Sequence, residues 1–422
     1  MLFDGLVLVS QIDLGAFFAM FWHAIAFELP RFLFAVMAVG AVEAAGGGRR
    51  TVRRRDYRPT ISVLMPGHNE GANLQRAIQG LREQTRNDMQ IIVIDDGSSD
   101  NMADVGNALK RDGLVDIFVY RGMRSGKSAA TNLGLSYCTG DIVIILDIDT
   151  SFDRDAIERI VEPLADPRVG AVSGNIAVRN PAASVIARFQ AIQYFISISL
   201  GRRVSDMLGV LFITSGAFSA FRREAILSIG GCSVGPGEDA DLAIKVRRAG
   251  WKVRFAPDAW ALTDVPEHLL ALVNQRLRWS RSLVRVRARK FKPMFNPFQP
   301  NFSLIDALGT IDIIWFQAIL PASFYIYIVW LFAYFGSFAW TILGAVTCWY
   351  MLMSLVTFTV ALSVSGHQAR PWLLLYVPGY ALFNAYILRA VTFTAYLQEL
   401  IFRSSYRDSY VPRRVSAQVE RF

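Results

Sequence analysis

Apolar and polar positions divide this chain into three unlike parts. From about Gly15 to Ala45 the residues are mostly apolar, enough at about 1.5 Å per residue to cross a hydrocarbon core of ~30 Å. His23, Glu28, Pro30 and Arg31 interrupt that run, which predicts either a face packed on other helices or a Glu28–Arg31 pair one turn apart. Between about Thr60 and Pro266 the pattern changes. Ile61 to Met65 reads as a strand, Leu74–Leu81 as a helix, Ile91–Ile94 as a second strand and Ile142–Leu146 as a third. Short, continuously apolar strands alternating with helices predict a buried, mainly parallel sheet. After Asn301 come three apolar stretches, about Ala307–Phe335, Phe338–Val364 and Pro371–Leu400, parted by Gly336-Ser337 and residues 365–370. Residues Phe302–Ala318 are expected to begin as a helix lying on the membrane interface.

These patterns divide the chain into an N-terminal segment (1–14), a transmembrane helix (15–45), a basic linker (46–59), a cytoplasmic α/β domain with interfacial helices (60–300), C-terminal transmembrane and interfacial helices (301–402) and a basic tail (403–422). Composition agrees: of 422 residues, 53% are hydrophobic and only 19% charged, more apolar than one soluble core needs. The net charge of +9 raises a nucleic-acid partner. The basic residues, however, flank the apolar runs, at Arg49, Arg50, Arg53, Arg54 and Arg55 and from Arg278 to Lys292. Lys and Arg in that position mark the cytoplasmic side and attract anionic headgroups, so membrane lipids are the expected partner and nucleic acid is not. The reading is a multi-pass protein of the inner (plasma) membrane. Three full spans after a cytoplasmic domain would leave the basic tail outside, so charge and parity conflict. Pro371–Leu400, with Pro378-Gly379 and Arg389, is the stretch expected to be re-entrant or interfacial. Cys138, Cys232 and Cys348 have no CxxC spacing and read as reduced, buried thiols. The start, with Asp4 and Asp13 and no basic n-region, does not read as a cleavable signal.

Candidate chemistry gathers at strand ends. Pro66-Gly67-His68-Asn69-Glu70 follows the first strand and Asp95-Asp96-Gly97-Ser98-Ser99-Asp100 the second. Either could be a helix cap and turn; together, at the edge where α/β sheets hold ligands, they suit a base and a ribose. Asp147-Ile148-Asp149 ends the third strand, and in an extended chain alternate side chains share a face. Two carboxylates presented together call for a cation, and hard oxygens beside a diphosphate suit Mg²⁺ or Mn²⁺. Gly122 to Ser128 is not a P-loop: three residues, not four, separate Gly122 from Gly126, and no convincing strand precedes it. Lys127 can still meet a diphosphate as a point charge, or lie solvated at the surface. Glu238 and Asp239 open a helical segment, as caps or with one carboxylate as general base. In Gln275-Arg276-Leu277-Arg278-Trp279, Trp279 offers a flat face for a sugar ring and Arg278 a charge for a departing diphosphate. A basic helix of this kind also serves as an interfacial anchor.

Taken in order, Asp95-Asp96-Gly97, Asp147-Ile148-Asp149, Gly237-Glu238-Asp239 and Gln275-Arg276-Leu277-Arg278-Trp279 resemble the family 2 glycosyltransferases of the GT-A fold. The resemblance runs from about Thr60 to Arg287 and is nearest to the processive, membrane-embedded branch that includes cellulose, chitin, hyaluronan and poly-N-acetylglucosamine synthases. The fold it implies is an α/β GT-A domain flanked by N- and C-terminal transmembrane helices. It implies a UDP-sugar donor held by Glu70, Asp95 and Asp96, with Lys127 and Asp147 near the diphosphate. Asp149, with Asp147, would bind the divalent cation. Asp239, beside Glu238, would be the base, and Gln275, Arg278 and Trp279 would border the glycan acceptor and leaving diphosphate. The implied reaction is inverting transfer of a hexose or N-acetylhexosamine onto a growing β-linked polysaccharide, with coupled export. Thr214 to Phe218 and Phe189 to Tyr194 are similar to the poly-N-acetylglucosamine group. Gly237 departs from the Thr often found there, and Arg281-Ser282 is nearer to chitin-oligomer and hyaluronan synthases. No second-messenger domain is attached, which leaves room for a separate accessory or regulatory membrane subunit. Two other readings stay open: a non-processive enzyme glycosylating a lipid, and a transporter component with a UDP-binding regulatory domain.

Overall fold

The computed structural model describes residues 13–30, 57–299 except 234 and 236, and 302–407, with isolated positions 37, 40, 412, 415 and 417. Arg31 and the arginines from Arg49 to Arg55 lie outside the described residues.

An eight-stranded sheet forms the centre, built from β1 (Ile61–Gly67), β2 (Met89–Asp95), β3 (Ile117–Tyr120), β4 (Ile142–Leu146), β5 (Ser151–Phe152), β6 (Val169–Val178), β7 (Phe218–Arg222) and β8 (Lys252–Thr263), in the order β3-β2-β1-β4-β7-β6-β8-β5. The expectation of a mainly parallel sheet holds for six of its eight strands, since β6 and β8 pair in parallel and run in the direction of β4. β3, β2, β1 and β4 are parallel, whereas β7 runs antiparallel to both β4 and β6, and β5 to β8. The cause is visible in the connections. Helices α2 (Gly71–Arg82), α3 (Met102–Arg111) and α4 (Lys127–Leu135) supply crossovers for the first four strands, and crossovers of that kind make parallel neighbours.

Both faces of the sheet are covered, which is why its strands are apolar throughout. Val63 and Met65 enter one core and Leu64 the other; Ile142, Ile144 and Leu146 share the first, Val143 and Ile145 the second. The first core also takes in α5 (Val185–Tyr194) and Phe358, Ala361, Leu373, Val377 and Tyr380 from the C-terminal helices. The C-terminal region therefore packs into the α/β domain.

Among the strands of the second half lie α6 (Gly201–Met207), between β6 and β7, and α7 (Glu238–Arg248), between β7 and β8; α8 (Leu269–Leu283) follows β8 and continues as a π-helical stretch through Lys290. Leu304–Phe335 is then helical without a break, as α9 (Leu304–Ile314), a π-helical turn and α10 (Leu320–Phe335). At Gly336 the backbone turns at φ +54°, a conformation suited to glycine, and α11 (Ala339–Ser363) follows. A final run, Pro371–Phe402, ends in α12 (Val377–Leu382), a π-helical turn and α13 (Arg389–Phe402). By length and composition, Leu320–Ser363 and Pro371–Phe402 can each cross a membrane, while the N-terminal apolar helix, α1 (Leu14–Glu28), is shorter among the described residues. Glu28 pairs with Arg389 at 2.6 Å, and Tyr350 donates to it at 3.3 Å.

Both ends of Pro371–Phe402 touch the α/β domain. At its start Arg188 donates to the Tyr376 hydroxyl at 3.0 Å; at its end Glu399 pairs with Arg289 at 2.6 Å and Arg281 donates to Gln398 at 3.1 Å. The preceding loop is tied down too: Asp153 meets His367 at 2.6 Å and Gln368 at 3.2 Å. Of the cysteines, Cys138 and Cys232 are buried as expected. Cys348 is exposed, because it faces outward from α11.

Candidate active site

Parallel strands deliver polar residues to one edge of the sheet. β1 ends at Gly67, leaving His68, Asn69 and Glu70 as the turn before α2; β2 ends at Asp95 and β4 at Leu146. β7 runs the other way, so its start reaches the same edge. Leu146 pairs with Phe218, and the Asp147 N–H donates to Ala217 O at 3.2 Å. That sets Thr214, Ser215 and Gly216 beside Asp147.

Asp147 and Asp149 meet for a reason other than strand alternation. β4 has already stopped, and the Thr150 N–H donates back to Asp147 O at 3.3 Å, closing a turn. Ile148 is buried and anchors that turn in the core. Burial raises the Asp149 carboxyl above the ordinary carboxylate range, and the Asp147 charge raises it further. Burial likewise raises Glu70; Asn73 donates to it at 2.8 Å, while Asp149, Asp147 and Asp100 add repulsion. These groups thus form one acidic patch. Among the described residues no three His, Cys, Asp or Glu side chains are placed to hold a metal ion unaided. Two crowded carboxylates suit a hard divalent ion that draws its other ligands from phosphate and water.

Lys127 is not a solvated surface lysine. Its Nζ donates to Asp147 at 2.5 Å and to Gly216 O at 3.1 Å, and lies 3.7 Å from Glu238. The expectation that no strand leads into Gly122–Ser128 is overturned, since β3 does so and α4 starts at Lys127. The segment is still no phosphate cradle. Asp96 accepts the Ser125 and Gly126 N–H groups at 2.8 and 2.6 Å, donors that a P-loop would offer to phosphate. Gly97 makes this approach feasible: at φ +73°, any Cβ there would sit 2.6 Å from Arg124 N. Asp95 Oδ1 accepts the Ser98 N–H at 2.8 Å, whereas the buried Oδ2 has no partner among the described residues. Asp96 therefore fills the turn role foreseen for this motif, and Asp95 keeps one acceptor in reserve.

Glu238 and Asp239 form the first turn of α7. Gly237 just before them has φ +90°, and a Cβ would come 3.1 Å from Val286 and 3.2 Å from Ser282. The loop thus rests against α8 and its continuation, bringing the carboxylates to the helix that carries Gln275, Arg278 and Trp279. Asp239 sits deep in the cleft yet is still reached by solvent. Its carboxyl is pushed up to about 6, by burial first and the Glu238 charge second; the Ala240 N–H, Arg202 and Lys127 act in the opposite sense. Trp279 keeps 38% of its surface exposed, with the Arg276 guanidinium 4.4 Å above its ring. Tyr194 links the two halves of the site. Arg276, Arg202 and the charge of Asp149 all act on its hydroxyl.

Arg202 had no sequence signal, standing after an apolar run; only the fold brings it to Tyr194 and Asp239. Its Nη1 donates to Ser173 Oγ at 2.8 Å. Gln275 Oε1 is buried without a partner among the described residues.

A mixed sheet with acidic residues at its ligand edge gives the domain an α/β fold of the GT-A kind. Over 90% of this chain and 99% of the other, the structure superposes on the mannosyltransferase PcManGT from Pyrobaculum calidifontis, solved in complex with GDP-Man and Mn2+, with a TM-score of 0.60 and 21% identity. Residues 62–230 match the model for glycosyl transferase family 2. The chain is also similar to poly-beta-1,6-N-acetyl-D-glucosamine synthases. It is 29% identical to that of Staphylococcus aureus (strain COL) over 262 residues, 62% of this chain and 63% of the relative's length. It is 28% identical to that of Staphylococcus epidermidis over 327 residues, 74% and 76% of the two chains.

Proposed function

We propose that this protein is a membrane-embedded, inverting family 2 glycosyltransferase. It transfers a hexose or N-acetylhexosamine from a UDP-sugar to a growing β-linked polysaccharide. The observation that carries the reading is the meeting of four segments, far apart in sequence, in one cleft: Asp147 and Asp149, Lys127, Glu238 and Asp239, and the helix from Gln275 to Trp279. Similarity to poly-beta-1,6-N-acetyl-D-glucosamine synthases supports a polysaccharide product and favours N-acetylglucosamine as the sugar.

In this reading Asp95, with its unused Oδ2, and Glu70 bind the nucleoside. Asp147 and Asp149 would hold a divalent cation, Mg²⁺ or Mn²⁺, the latter being the ion named with PcManGT. When bound, the cation neutralises charge on the diphosphate. Lys127 leaves its ion pair with Asp147 to meet a phosphate oxygen. Asp239 accepts the proton of the attacking hydroxyl, a role favoured by a carboxyl raised towards neutrality. The exposed face of Trp279 supports the acceptor ring, and Arg278 meets the departing diphosphate.

The domain is placed at the cytoplasmic face. α9–α10 and α11 form a hairpin that leaves the domain and returns to it, and Pro371–Phe402 lies along the interface, held to the domain at both ends. That arrangement brings the chain at Arg403 back to the cytoplasmic side and removes the conflict between charge and parity. The test is to incubate purified protein with UDP-glucose, UDP-N-acetylglucosamine and UDP-glucuronate and to resolve the products by size. A β-linked polymer from one donor is expected. A single glycolipid would support the lipid-acceptor reading, and UDP binding without sugar consumption the transporter reading.

A further inference from the structure

Arg179, at the end of β6, belongs to none of the motifs that the proposed chemistry uses, yet its side chain reaches the turn that carries Asp147 and Asp149. Nη2 donates to the Asp149 carbonyl at 2.9 Å and Nη1 to the Ser151 hydroxyl at 3.3 Å. The same guanidinium grips Asp264, just beyond β8, through Nε at 3.0 Å and through Nη2. Its backbone is fixed too, the Arg179 N–H donating to Thr263 O at 2.8 Å. The arginine thus spans the ends of β6 and β8 and the start of β5. A fork held on both oxygens of one carboxylate fixes the plane of a guanidinium, and here that plane sets the donor aimed at Asp149.

The earlier part of the turn is held from elsewhere. Asp147 is tied to Ala217 O at the start of β7, and Ile148 is sunk in the core. Arg179 grips the next carbonyl, that of Asp149. The pair with Asp264 is open in part to water, with 31% and 52% of the two side chains exposed, and an ion pair so placed adds little stability. Its geometric effect is the larger one. Asp147 and Asp149 can share a cation only if both carboxylates keep their aim, and groups that orient metal ligands from behind are worth about 10–100-fold in metal affinity.

We propose that Arg179 is a positioning residue that orients Asp149 towards the divalent cation, acting through the Asp149 carbonyl and braced by Asp264. The inference rests on the proposed cation site at Asp147 and Asp149. The experiment titrates Mn²⁺ into the full-length protein in detergent, saturated with UDP, and reads free Mn²⁺ by electron paramagnetic resonance. UDP affinity is measured separately in EDTA. Wild type is compared with Arg179→Gln, Arg179→Lys and Asp264→Asn. Arg179→Gln is expected to weaken Mn²⁺ binding about tenfold or more, with metal-free UDP binding unchanged. Arg179→Lys keeps the charge without the planar fork and should also lose affinity, by less. Asp264→Asn keeps the guanidinium but loosens its plane, and should weaken binding in the same direction. A guanidinium acting only as a nearby positive charge gives the opposite result: tighter Mn²⁺ binding in Arg179→Gln and no change in Arg179→Lys. That outcome, or wild-type Mn²⁺ affinity in all three variants, would overturn the inference. Loss of metal-free UDP affinity in step with Mn²⁺ would overturn it too, by showing general damage to the cleft. If Arg179→Gln does not fold, Arg179→Lys and Asp264→Asn decide by the same two readings. A wild-type protein that binds UDP but no Mn²⁺ would instead defeat the proposed cation site, and this inference with it.

Discussion

Asp239 owes its expected reactivity to position. Withdrawn into the cleft and set beside Glu238, it holds its proton to about pH 6, against the pull of Arg202 and Lys127. A base must be unprotonated, so kcat/KM should rise with pH through an acid limb near 6. Glu238→Gln removes one like charge and should move that limb to lower pH, read from the pH profile of sugar transfer. An unmoved limb would mean that another group titrates. The sequence made Asp239 and Asp149 visible because each sits in a recognisable cluster of acids. It could not reveal Arg202, which reaches Asp239 only through the packing of α6, nor the state of Lys127, whose partners lie twenty and more positions away.

Among elements, the α7 loop and α8 determine whether the site is assembled. Gly237, a departure from the Thr that the sequence resemblance leads one to expect, stands where the backbone favours glycine. At φ +90° a β-branched residue is strained, and its Cβ would press on Val286 and Ser282. Gly237→Thr should cost about 1–3 kcal/mol, measured as a lowered unfolding midpoint together with weaker acceptor use. Wild-type stability and activity in that variant would show that the loop has another conformation available. The strands β1, β2 and β4 were legible as apolar blocks because both their faces are buried. β3, with only four residues and one buried position, left too short a pattern to recognise. The reversal at β7 was hidden as well, since strand direction depends on connections and not on the residues of the strand.

Across the whole molecule, two features hold the apolar helices in place, one between helices and one to the domain. The first is the buried pair of Glu28 and Arg389, 2.6 Å apart. Glu28 was marked by its place in an apolar run, but its partner lies 361 positions away, beyond any local pattern. Removing one member of a buried pair leaves the other unpaired, at a cost of about 3–5 kcal/mol. Glu28→Gln and Arg389→Met should each lower thermal stability in detergent, and the double variant should lose less than their sum. Strict additivity would show the pair to be uncoupled. The second feature is the return of the chain to the domain at His367 and again at Glu399. With Cys348 replaced, Ser337→Cys should react with an impermeant maleimide only from the face opposite the domain, and Gln368→Cys only from the domain's face. Labelling of both from one side would contradict the hairpin.

Everything above depends on one cleft doing chemistry on a sugar nucleotide. The direct measurement is polymer formation by Asp239→Asn beside wild type, with UDP affinity determined on the same preparations. Loss of a general base should cut turnover about 10²–10⁴-fold and leave UDP binding intact. Turnover at the wild-type rate in Asp239→Asn would contradict the account.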